Sequence, residues 1–113
     1  MEFAKKASDE LHAAFQAREF ENEGMARVCA RRAAGWAIKD YLQRKHVPIP
    51  TPNAFGLLKD ESIRYFLPAE AVPIIEHLTL RVGQDFNLPD EVDLLQETRH
   101  LLALFDIPFT EEG

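Results

Sequence analysis

At 113 residues the chain has the length of one domain, enough for one hydrophobic core and too little for two independent ones. Its hydrophobic fraction of 46% and charged fraction of 28% exclude the disordered class, and its formal net charge of −6 argues against DNA binding through an overall positive field. The only cysteine, Cys29, excludes an internal disulfide framework.

No apolar run approaches the roughly 20 residues of a membrane span, and Met1–Lys6 lacks the apolar stretch of a signal peptide, so a cytoplasmic location is expected. In chain order, Phe3, Ala4, Ala7, Leu11, Ala14 and Phe15 recur at helical spacing and predict an amphipathic helix from Phe3 to Arg18. The polar run from Glu19 to Gly24 then predicts a short turn. A second, longest helix is expected over about Asn22 to His46. Its apolar residues, among them Met25, Cys29, Ala33, Trp36 and Tyr41, cover a face wide enough to meet more than one neighbour. Small alanines allow close approach there, Trp36 supplies bulk, and Cys29 reads as a small buried hydrophobe.

Pro48, Pro50 and Pro52 stop this helix and predict an extended connector. Asn53 is the expected N-cap of a short third helix through about Glu61. Pro68 and Pro73 fit only the first turn of a fourth helix, whose Ala71, Ile74, Ile75, Leu78 and Val82 form one stripe ending at Gly83. Leu88–Glu91 is expected to open the last helix, with Leu94, Leu95, Thr98, Leu101, Leu102 and Phe105 inside and Pro108 as its stop. The expectation is an all-α domain over residues 1–109, an up-and-down antiparallel bundle of four main helices plus one short helix, with an acidic tail at 110–113.

For chemistry, His12, His46, His77 and His100 lack a second His or Cys at metal-ligand spacing, so neither a metal nor a cofactor is expected. Ser8 and Ser62 lie outside any glycine elbow, and the five glycines form no phosphate-cradling loop. Arg27, Arg31, Arg32 and Lys39 on the second helix form a basic stripe that faces either an anionic ligand or solvent and nearby acids. The segment around Arg81, Asp85 and Asn87 is either a capped turn or a polar binding site.

The early helix Ala4–Phe15, the turn Arg18-Glu19-Phe20, the small-residue run Ala30–Leu42, the proline connector, Asn53–Leu58, the Arg81 segment and Pro89 together span most of the chain. In order and spacing they resemble the HEPN family (higher eukaryotes and prokaryotes nucleotide-binding domain), in its small stand-alone prokaryotic form. The resemblance implies a helical bundle that forms a homodimer and works beside a small nucleotidyltransferase partner in toxin–antitoxin or related systems. Many members are metal-independent ribonucleases using an Arg and, after four to six residues, a His. That spacing is absent here: Arg81 is followed at those distances by Phe86, Asn87 and Leu88.

The expected function is therefore that of a non-catalytic HEPN-like domain binding a nucleotide-like ligand or a nucleotidyltransferase through Arg81, Asp85, Asn87 and His77. One alternative is a divergent ribonuclease using His77 and Arg81, which share a helix face at i, i+4. Another is a plain interaction module touching its partner through Leu80, Phe109 or the basic residues.

Overall fold

The computed structural model describes residues 2–51, 53–79 and 92–109. Its elements are α1 (Glu2–Glu19), α2 (Glu23–Arg44), α3 (Ala54–Lys59), a 3-10 helix (Glu61–Phe66), α4 (Ala71–Thr79) and α5 (Leu94–Leu104), with no strand among the described residues. The all-α class follows.

α1 and α2 form an antiparallel hairpin: Phe3 stacks on Trp36 at one end, and Arg18 pairs with Glu23 at the other. Ala7, Leu11 and Ala14 of α1 are buried against the alanines of α2. α2 also packs on α3 and α5, as its wide apolar face requires. Where α3 meets α2 the backbones nearly touch. A Cβ on Gly35 would fall 2.3 Å from the Cβ and 2.8 Å from the Cα of Ala54, so only glycine lets the start of α3 sit there.

α1, α2 and α5 end alike. In each, the residue after the C-cap is in the left-handed region, Glu21 (φ 60°), His46 (φ 60°) and Asp106 (φ 59°), and none is glycine. The next amide reaches back to the helix: Asn22 to the Ala17 carbonyl (2.8 Å), Val47 to Leu42 (2.9 Å) and Ile107 to Leu102 (2.9 Å). This is the Schellman arrangement, in which the last carbonyls find donors, and Pro48 and Pro108 follow because they cannot continue a helix.

Several expectations need correction. α3 stops at Lys59 rather than Glu61, because Asp60 turns its carboxylate to the Ser62 amide (2.9 Å) and caps a 3-10 helix instead. α5 begins at Leu94: Val92 and Asp93 are non-helical, and the Asp93 carboxylate accepts from the Leu95 and Gln96 amides and so caps this helix. Trp36 is half-buried at the α1/α2 edge, while Leu11, Ile38, Leu42, Leu57, Leu58, Ile75, Leu78 and Phe105 fill the core. Met25 is exposed. The expected stop at Gly83, the Leu88–Glu91 segment and the acidic tail lie outside the described residues.

Candidate functional site

The expected anion stripe divides in space. At about 100° per residue, Arg27 and Arg31 point to one side of α2 and Arg32 and Lys39 to another. Arg31 is half-buried, and its Nε donates to the Leu78 carbonyl (2.8 Å) near the described end of α4, where a cation complements the helix dipole. Burial, with the Arg27 charge beside it, holds its guanidinium below the usual arginine range. Lys39 is not on a solvated face but 7% exposed, its Nζ 4.4 Å from the centre of the Trp36 ring.

Trp36 gathers residues from both helices of the hairpin. Phe3 stacks at 5.6 Å between ring centres, and Lys6 places its Nζ 4.5 Å from the indole centre. An open pocket of about 330 Å³ lies beside it, lined by Lys6, Asp9, Glu10 and Trp36. Spacing along α2 could have placed Arg32, Trp36 and Lys39 together, but nothing local brings Lys6 to the same ring.

Two charge clusters bind elements together. Arg18, at the end of α1, bridges Glu23 (2.7 and 3.1 Å) and Asp93 (3.0 and 3.1 Å). Hydrogen bonds from Arg18 lower the Glu23 carboxyl below its ordinary range. For Asp93 burial pushes upward, but the Arg18 bonds and charge, with the Gln96 and Leu95 amides, outweigh it and the net shift is down. In the second cluster, Arg44 donates to the buried Asp40 carboxylate (2.8 Å) and to the Phe105 carbonyl at the end of α5. Both clusters spend their hydrogen bonds on the scaffold.

Of the residues expected around Arg81, only His77 lies within the described part; Arg81, Asp85, Asn87 and Leu80 lie outside it. The His77 Nδ1 contacts the Glu97 carboxylate of α5, a partner twenty positions away that spacing along α4 did not suggest. Phe109, expected as an exposed contact, packs against Phe15 and His12 with ring centres 6.0 and 4.5 Å apart. Among the described residues the exposed large apolar side chains are elsewhere: Tyr65 (88%) and Phe66 of the 3-10 helix, set edge to face, and Phe20 (83%) with Met25 and Val28 near the hairpin turn. Next to Tyr65, Arg64 is half-buried, and its Nε has no hydrogen-bond partner among the described residues.

Cys29 is buried, and burial, with the Glu10 charge, raises its thiol above the usual range although Arg32 opposes the shift. Among the described residues no three His, Cys, Asp or Glu side chains gather in a way that could hold a metal ion. No helix among them is long and apolar enough to cross a membrane.

Compared with family models, curated proteins and solved structures, the chain matches none. Its function is therefore argued from its own residues and from the resemblance in their order.

Proposed function

We propose that the chain is a non-catalytic HEPN-like domain, an up-and-down helical bundle that acts by docking a protein partner. The observation that carries this reading is the cluster Arg64-Tyr65-Phe66: Tyr65 largely in solvent and Phe66 about half exposed, beside a half-buried arginine whose Nε has no hydrogen-bond partner among the described residues. Tyrosine and arginine are the side chains that most often dominate binding energy at protein interfaces, and ordering them there costs little when the 3-10 helix already holds their backbone. The resemblance supplies the class of partner, a small nucleotidyltransferase, with a second copy of the chain as the other occupant. A cytoplasmic setting and a homodimer belong to the same proposal. Retention of a nucleotidyltransferase encoded beside this chain on the immobilised protein, with a loss of about tenfold or more in affinity for Tyr65→Ala, is the expected result. Equal retention by the variant, or none by either protein, rejects it.

A ribonuclease reading draws on the contact between His77 and Glu97, since a carboxylate at Nδ1 orients an imidazole for proton transfer at Nε2. Incubating structured RNA with the natural chain and with His77→Ala separates it: cleavage confined to the natural chain supports a ribonuclease, and equal, negligible cleavage removes it. The nucleotide-like ligand expected at Arg81, Asp85 and Asn87 has no support beyond the sequence pattern.

A further inference from the structure

We propose that the outer face of α2 beside the hairpin turn is an interface with a second copy of this chain, packed antiparallel about a twofold axis that crosses α2 between Ala26 and Arg27. The inference names the face that forms the homodimer proposed above, rests on that part of the reading, and does not involve the Tyr65 surface. Phe20, Met25 and Val28 are three of the five large apolar side chains exposed among the described residues, and all three belong to this end of the hairpin. Contiguous apolar exposure of this kind marks a surface that another molecule covers. At about 100° per residue, Met25, Val28 and Arg32 fall within an arc of about 60° on α2. That arc is turned away from the buried Ala26, Ala30, Ala33 and Ala37. Steps of three and four residues are those by which one helix offers a seam to another. Gly24, exposed beside them, adds no side chain to hold a second backbone away.

Charge decides what covers this face. Glu21, one residue before the N-cap Asn22, is exposed at one end, and Arg32 is exposed three turns further along at the other. Neither makes an ion pair or a side-chain hydrogen bond among the described residues, whereas Arg18, Arg31 and Arg44 are held by the scaffold. A face that is negative at one end, apolar in the middle and positive at the other is complementary to itself reversed. The register is specific. Residues 21 and 32 are centred on the same point as residues 25 and 28, between 26 and 27. A twofold axis at that point sets Met25 of each copy against Val28 of the other and brings Glu21 of each to the level of Arg32 of the other, so every contact occurs twice. Phe20 arrives at nearly the same level, where a guanidinium can lie against its ring. A parallel pair would set Arg32 against Arg32 and is disfavoured by that repulsion.

Three apolar side chains and one ion pair from each copy make a small interface, below about 1,200 Å² in total, so a weak dimer with a Kd on the order of 10 to 100 µM is expected.

Sedimentation equilibrium of the intact chain from micromolar to millimolar concentration measures it, with circular dichroism to check that each variant keeps its helices. The mass should rise from that of one chain to that of two. Val28→Glu, at the centre of an exposed face, should weaken association about tenfold or more by setting like charges beside the axis. Glu21→Arg and Arg32→Glu should each weaken it by a similar factor, and the double variant carrying both should recover to within about threefold, because the exchanged charges meet again across the axis. Tyr65→Ala should associate as the natural chain does. A dimer indifferent to Val28→Glu, lost in Tyr65→Ala, or not recovered in the double variant overturns this inference and leaves the homodimer itself standing. A chain that stays monomeric throughout removes both, while retention of the nucleotidyltransferase and its dependence on Tyr65 are read separately.

Discussion

His46 illustrates how a single residue can carry a cost that the fold absorbs. Its φ of 60° places it in the left-handed region, where a side chain with a Cβ is disfavoured by about 1 kcal/mol relative to glycine. The conformation persists because the Val47 amide must reach Leu42 for α2 to close its last turn. Replacing His46 by glycine keeps that bond and removes the strain, although glycine also loses more entropy on folding. A net gain of roughly 0.5 kcal/mol is expected in urea unfolding. An unchanged or lower midpoint would mean that the imidazole contributes more than its backbone costs. Sequence alone pointed to the stop, through Pro48, but not to the left-handed residue before it, because no glycine marks the position.

Among the elements, α2 decides how the others are placed. Its alanines bring α1 close on one side, and on another Gly35 lets α3 come closer than any side chain would allow. Gly35→Ala should lower stability by about 1 to 3 kcal/mol through overpacking, despite alanine's better helix propensity. Chemical denaturation reads this directly, and a stabilised variant would show that α3 can shift without loss. The periodicity of α2 made its wide face legible, as Asn53 made the start of α3 legible. It did not show that Trp36 and Lys39 sit at the edge of that face rather than at its centre and opposite it. A helical wheel gives the angle of a residue; what fills that angle is set by α1, and Lys39 can lie along the indole because its stem is apolar.

At the scale of the whole molecule, Arg18 joins the end of α1, the start of α2 and the start of α5. Asp93 and Glu23 have carboxyls lowered from ordinary values of 3.8 and 4.5. A carboxyl lowered in the folded state stabilises fully above its unfolded value, and that contribution is lost as the pH falls through the lower folded value. Thermal melts should therefore show the natural chain more stable than Arg18→Gln at pH 7, with the gap closing below about pH 4. The partners are partly exposed, so salt should narrow the gap as well. A gap independent of pH would mean that Arg18 acts through packing alone.

The amino-acid sequence by itself determined the helical class, the courses of α1 and α2, the inner face of α5 and the burial of Cys29, because helix periodicity, proline and capping residues act within a few positions of one another. It also displayed the chemistry at hand, His77 and the basic residues of α2. Tertiary structure decided which of these meet. Glu97 reaches His77, Asp93 reaches Arg18, Leu78 occupies Arg31, and Lys6 joins Lys39 at Trp36. Each is a contact between helices, fixed by how their apolar faces pack, and no spacing along one helix encodes the angle at which another arrives.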